Sequence, residues 1–307
     1  MRIAVLGSGG VGGYFGGRLA AAGTDVTFIA RGAHLAAMRE HGLRIESASG
    51  NVHVRHVSAT DDPTSVGPVD IVFFTVKLYD TESALASLPP LVGPHTIVIP
   101  FQNGVDSVDV LTRRLGKQHV VGGTTYLTAV VAEPGLIRHT AMERLIFGPV
   151  AGSPQPVLEQ LRDAGRHAGF DAILSKHILV DIWTKFARLS VFSAMTAVTR
   201  SPIGVLRADP ELRALMETAL HESIAVARGK QVPLLQSTFT DAMASFSGLP
   251  HEARSSMLED LERGRRLELP WLSGAVVRIG EEVGVDAPTH RLMVSLLRPH
   301  VNGKQRD

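Results

Sequence analysis

The sequence predicts an α/β protein, with an N-terminal doubly wound parallel sheet followed by an all-helical C-terminal domain. Three observations predict it. A glycine fingerprint sits between an apolar run and a helical pattern at the N-terminus. The first half then alternates short apolar runs with helical stretches. From about His177 only 3.6-type periodicity remains. The domains expected from this change are 1–176 and 177–307.

The first element is a short apolar run at residues 2–6, read as a buried strand. Gly7-Ser8-Gly9-Gly10-Val11-Gly12 follows at once, and residues 14–22 read as a helix. In such a Gly-x-Gly-x-x-Gly turn the first glycine permits the tight turn and the second admits a pyrophosphate to the backbone. The third lets the helix pack on the strand. The N–H groups that open the helix then attract phosphate, which marks residues 7–12 as a Rossmann-type dinucleotide cradle.

The second strand, Asp25-Val26-Thr27-Phe28-Ile29-Ala30, stops at Arg31. That is about 20 residues past the fingerprint, where NAD enzymes usually carry Asp or Glu. A carboxylate there would accept from a ribose 2′-hydroxyl, whereas a guanidinium grips a 2′-phosphate. The cofactor expected is NADP(H).

Ile71-Val72-Phe73-Phe74-Thr75-Val76 and Thr96-Ile97-Val98-Ile99-Pro100 read as further buried strands, and residues 120–123 start another. Residues 130–148, with Pro134-Gly135 between extended segments, read as an antiparallel addition to the sheet's edge. Residues 155–168 are helical and 170–174 a last strand. The helical half reads as helices over 178–199, 210–228, 234–244, 255–261 and 269–283. A nucleotide domain followed by a helical one predicts an active site in the cleft between them.

Composition bounds the function. With 307 residues the chain is long enough for two cores. A formal charge of +1 offers no argument for nucleic acid or an anionic membrane. The absence of cysteine removes disulfides, thiolate nucleophiles and zinc ribbons, and the thirteen histidines show no metal-ligand spacing. No run approaches the ~18 apolar residues that a bilayer span needs, and the opening residues, lacking a signal peptide's charged region and cleavage site, lead one to expect no such segment. The expectation is a soluble cytoplasmic protein without metal. Apolar faces on the helical domain are compatible with a homodimer.

Two polar motifs follow strands, at the carboxyl ends where parallel sheets bind ligands. Lys77 comes directly after Val76, and Gln102-Asn103-Gly104 after Phe101. A surface lysine and an ordinary Asn-Gly turn are the plain alternatives. In the helical half, Lys185 lies in the apolar stretch Trp183-Thr184-Lys185-Phe186, and Leu189, Ser193 and Thr196 share its helical face. Such a lysine either snorkels to solvent or faces a cleft, where burial would lower its pKa and suit it to protonate a carbonyl oxygen. The serines of Ser255-Ser256-Met257 suit a helix cap. Nothing in charge or periodicity raises Glu268 above Glu262, Glu281 or Glu282.

Taken together these residues resemble the ketopantoate reductases, the 2-dehydropantoate 2-reductases of pantothenate synthesis, essentially end to end. The resemblance rests on the fingerprint, Ile29-Ala30-Arg31-Gly32-Ala33-His34-Leu35, Val76-Lys77 and Gln102-Asn103-Gly104. Trp183-x-Lys185-Phe186-Ala187, Ser255-Ser256-Met257 and Arg266-x-Glu268 complete it. It implies NADPH-dependent reduction of a 2-oxo acid. It also implies Lys185 as the lysine that protonates the carbonyl oxygen and Glu268 as the acid that orients substrate and lysine. Asn103 would contact cofactor and substrate, Lys77 would lie near the nicotinamide, and Ser256 would bind substrate.

The sequence departs from the family pattern at the substrate positions. Asparagines four and eight residues after the catalytic lysine are replaced by Leu189 and Ser193, the acid two residues beyond the glutamate by Pro270, and an Asn-Gly by Ser273-Gly274. The leading expectation is ketopantoate as substrate. A more apolar 2-oxo acid, suited by Leu189, is the second, and an NADP(H)-sensing regulator without turnover is the third.

Overall fold

The computed structural model describes residues 1–152 and 155–304. Clustering of contacts divides it into two units. The first comprises Met1–Gln102 and Asp106–Ile178; the second takes Asn103–Val105 and the chain from Leu179 onward.

In the first unit the elements run β1 (Arg2–Leu6), α1 (Gly10–Ala21), β2 (Asp25–Ile29), α2 (Gly32–His41), β3 (Leu43–Ser47), β4 (Val52–Val54) and β5 (Ser58–Thr60). Then come β6 (Ile71–Phe74), α3 (Thr81–Leu85), β7 (Ile97–Pro100), α4 (Ser107–Leu115), β8 (Gly122–Glu133), β9 (Leu136–Gly148), α5 (Pro156–His167) and β10 (Asp171–Leu174). One sheet has the order β5-β2-β1-β6-β7, with every pair parallel. Ile3 to Leu6, Ile71 to Phe74 and Ile97 to Pro100 are buried throughout, as strands covered on both faces require. The chain moves outward from β1 to β2 on one side and to β6 on the other. The carboxyl ends of these strands therefore flank the switch point where parallel sheets bind ligands.

Residues 130–148 do not extend that sheet's edge as expected; with the strand that begins at Gly122 they belong to another sheet. They form the hairpin β8–β9 of a second sheet, ordered β10-β9-β3-β4 with β8 on β9. The first half of β9 pairs in parallel with β3, from Arg44↔Leu136 onward, and its second half with β10. Helix α1 explains why two sheets are needed. A Cβ on Gly12 or Gly16 would strike Val5 of β1 at 2.6 or 2.8 Å. A Cβ on Gly13 or Gly17 would strike Ile137 of β9 or Ile45 of β3 at 2.7 Å. Both faces of the helix are thus bare enough to lie directly on a sheet, and the two sheets share one apolar core across it.

The second unit is helical: α6 (Ile178–Thr199), α7 (Ile203–Ala208), α8 (Pro210–Gly229), α9 (Thr238–Gly248), α10 (Ser256–Glu262), α11 (Ser273–Val283) and α12 (Pro288–Leu297). Helix α6 has no internal Gly or Pro, and it ends where Arg200 turns left-handed (φ 53°) ahead of Pro202. It is apolar on several faces because two cores flank it. Trp183, Phe186 and Ala197 enter one, and Ala187, Val191, Ala194 and Met195 the other.

Several boundaries differ from the sequence reading. The helix expected at 234–244 begins at Thr238, and the one expected from 269 opens as a 3-10 turn at Leu269–Trp271, where Pro270 supplies no amide hydrogen. The short β3, β4, β5 and α7, together with α2 and α12, are elements the periodicity did not resolve.

Candidate active site

In the first unit the fingerprint leaves β1 at Gly7, whose φ of 104° belongs to glycine. A cavity of about 400 Å³ opens beside it, lined by Leu6, Gly7, Ser8 and Gly9, by Ile29, Ala30 and Arg31 at the end of β2, and by Val76. Gly9 has open space where a Cβ would stand. Gly12 does not: a Cβ there would lie 2.3 Å from the carbonyl of Gly7, so strand and helix meet without a side chain between them. Bare backbone and an opening helix N-terminus suit a dinucleotide, with the exposed Arg31 guanidinium at the cavity's edge.

Gly7, Ser8, Gly9 and Arg31 line this cavity, whereas Gly10, Val11 and Gly12 form the start of α1. A Cβ on Gly10 would stand 2.2 Å from the carbonyl of Ala129 in β8. The Ser8 hydroxyl faces the protein, donating to the carbonyl of Ile29 at 3.0 Å. Lys77 is exposed at the head of a 3-10 turn, next to the lining residue Val76. The Gln102 amide is engaged on three sides. Its Nε2 donates to Val76 and Thr81 at 2.9 and 3.0 Å, and its Oε1 accepts from Ser107 at 2.7 Å. It thereby ties the segment after β7 to the segment after β6.

Sequence reading did not single out His34, Asp80, Ser83 or Val131 as lining residues. His34 lies in the first turn of α2, three residues after the N-cap Arg31. That was the signal available.

The second unit brings Lys185, Asn103 and Glu268 together. Gly104 (φ 81°) turns the chain after Asn103. Glu268 precedes the 3-10 turn at Leu269–Trp271, and Lys185 stands in α6. Lys185 Nζ donates to Asn103 Oδ1 at 3.0 Å, and Asn103 Nδ2 donates to Glu268 Oε2 at 3.1 Å. Lys185 is 8% and Glu268 7% exposed, so the lysine is buried and does not snorkel to solvent. Burial lowers its pKa to about 8; the charge of Arg188 acts the same way and that of Glu268 opposes both. A lysine tuned to this range holds a proton at neutral pH and releases it readily.

Of the remaining substrate candidates, Leu189 is half-buried and packs on the apolar cluster containing Trp183, Phe186 and Leu269. Ser193 is buried, and its hydroxyl has no hydrogen-bond partner among the described residues. Ser255, not Ser256, caps α10, accepting from the amide of Leu258 at 3.1 Å and bonding to Thr196 at 2.7 Å. Ser256 is exposed at the first helical position. Among the described residues no group of three or more His, Asp or Glu is arranged to hold a metal ion, and no helix is long and apolar enough to cross a membrane.

Comparison with known proteins follows the same division. The model of the family described as "Ketopantoate reductase PanE/ApbA" matches residues 3–152, and that of its C-terminal domain matches residues 177–301. A 2-dehydropantoate 2-reductase of Mesorhizobium japonicum is 32% identical, over 97% of each chain. One of Archaeoglobus fulgidus is 33% identical, again over 97% of each. The crystal structure of a PanE/ApbA family ketopantoate reductase from Ralstonia eutropha JMP134 superposes with a TM-score of 0.89 at 33% identity, covering 98% of both chains.

Proposed function

The chain belongs to the ketopantoate reductase PanE/ApbA family, and from that premise we propose that it reduces a 2-oxo acid with NADPH, ketopantoate being the first substrate to test. The observation that carries this reading is the chain of hydrogen bonds from the buried Lys185 through the half-buried Asn103 to the buried Glu268.

NADPH held at the fingerprint would supply the hydride that reaches the carbonyl carbon. The fingerprint backbone and Arg31 would hold its phosphates, and Arg31 would favour a 2′-phosphate over a bare hydroxyl. As the carbonyl oxygen gains charge, the Lys185 ammonium stabilises it and then delivers the proton, leaving a 2-hydroxy acid. Asn103 fixes the lysine in place, and the Glu268 charge opposes early loss of its proton.

A second reading keeps the reaction and changes the substrate to a more apolar 2-oxo acid. Its support is Leu189 packed among apolar side chains where the family pattern has an amide. The test is NADPH consumption, followed by absorbance, with ketopantoate and a panel of alkyl and aryl 2-oxo acids. Ketopantoate preferred by orders of magnitude would establish the first reading. An apolar acid preferred would establish the second, and no turnover with any 2-oxo acid would sink both.

A further inference from the structure

We infer that His34 is a positioning residue for the dinucleotide, its neutral imidazole tying the fingerprint loop to the β8–β9 turn so that the cradle keeps its shape. The inference rests on the reading above, that NADP(H) occupies the cavity between the fingerprint and Arg31.

The geometry fixes the tautomer. The backbone N–H of Gly135 points at His34 Nδ1, 3.1 Å away, and an amide nitrogen can only donate. Nδ1 is therefore the acceptor and the ring proton sits on Nε2, which donates to the carbonyl of Ser8 at 2.9 Å. Burial keeps the ring neutral by lowering its pKa, against the opposing bond to Ser8.

Both nitrogens are thus committed to main chain. His34 lines the cavity beside Arg31 with no donor left for a phosphate. Its work is done through the loop. The carbonyl of Ser8 and the N–H of Gly9 belong to one peptide unit and point in opposite directions when that unit is trans, and no peptide bond among the described residues is cis. The bond from His34 therefore sets the tilt of the peptide that opens α1, whose Gly9 carbonyl accepts from Gly13 at 2.7 Å. At the other end, the carbonyl of Gly135 accepts from Arg44 of β3 at 2.9 Å, and Val131 of the same hairpin forms part of the cavity wall. One imidazole joins three segments distant in sequence around a single cavity.

Equilibrium titration of NADPH and of NADH, by protein fluorescence, tests this on wild type, Arg31→Ala and three His34 variants, with apoprotein melting temperatures alongside. His34→Ala is expected to weaken both dinucleotides by the same factor, about tenfold for a lost hydrogen bond of this kind, because the fingerprint serves the part they share. Arg31→Ala is expected to weaken NADPH alone. His34→Gln places an amide donor near the Nε2 position and should bind like wild type. His34→Asn can satisfy only Gly135 and should behave like alanine. If alanine does not fold, the Gln–Asn pair decides. Unchanged binding in His34→Ala, loss confined to NADPH, or Asn rescuing better than Gln would each overturn the inference. Wild type binding neither dinucleotide would instead overturn the cofactor reading, and the inference with it.

Discussion

Asn103 donates through Nδ2 to Glu268 Oε2 at 3.1 Å, and this bond fixes which way the amide faces. An ammonium only donates and a carboxylate only accepts, so the amide between them has one orientation, oxygen toward Lys185 and nitrogen toward Glu268. An amide does not ionise. The carboxylate can therefore influence the lysine by its charge while Asn103 carries no proton between them.

The pH dependence of reduction follows from Lys185. Its pKa is lowered to about 8, so the ammonium predominates below that pH and is lost above it. kcat/KM for reduction should be flat below pH 8 and fall about tenfold per unit above it. Lys185→Met should lose about a hundred- to ten-thousandfold in kcat while still binding NADPH. A pH–rate profile with fluorescence titration checks both, and full activity in the variant would refute the assignment.

Glu268→Gln removes the negative charge that opposes loss of the proton from Lys185. Losing that neighbour disfavours the ammonium, so the alkaline limb should move downward by about one pH unit. A profile that keeps its limb at pH 8 would show that the limb belongs to another group.

Arg31→Ala should raise the KM for NADPH about 10- to 100-fold and leave NADH almost unchanged, the cost of one charge-assisted contact to phosphate. Steady-state kinetics with both cofactors measures the ratio. An equal effect on both would remove Arg31 from 2′-phosphate recognition.

Leu189→Asn combined with Ser193→Asn should raise kcat/KM for ketopantoate and lower it for apolar 2-oxo acids. The expected change is about 1–3 kcal/mol if a substrate hydroxyl gains a partner. The Ser193 hydroxyl, buried and without a partner among the described residues, makes this position the more sensitive of the two. No movement in the substrate ratio would place specificity elsewhere.

His290 predicts a stability change in acid. It is fully buried, with Nε2 2.8 Å from the Ser223 hydroxyl and 3.0 Å from the carbonyl of Ala219, and burial pushes its pKa down to about 4. The unfolded chain takes up this proton near pH 6.5, the folded one not until about 4. Stability should therefore fall as pH drops through that window, by about 1–3 kcal/mol. Urea unfolding at pH 7 and 4.5, compared with His290→Gln, isolates the contribution. An equal fall in the variant would assign it to other groups.

The sequence by itself determined the parallel sheet, the fingerprint, the long helix bearing Lys185 and the family. Each depends on local pattern: a buried strand is a short apolar run, a phosphate turn needs glycines at fixed spacing, and a helix repeats every 3.6 residues. What tertiary structure alone decided depends on contacts between distant segments. Charge and periodicity could not separate Glu268 from Glu262; Asn103 does so by donating to it across 165 positions. The hairpin's place in a second sheet followed from the two bare faces of α1, since strand pairing is chosen by what remains to be covered. Burial settled the fate of Lys185 in the same way, because a pKa is set by surroundings that no stretch of neighbouring residues specifies.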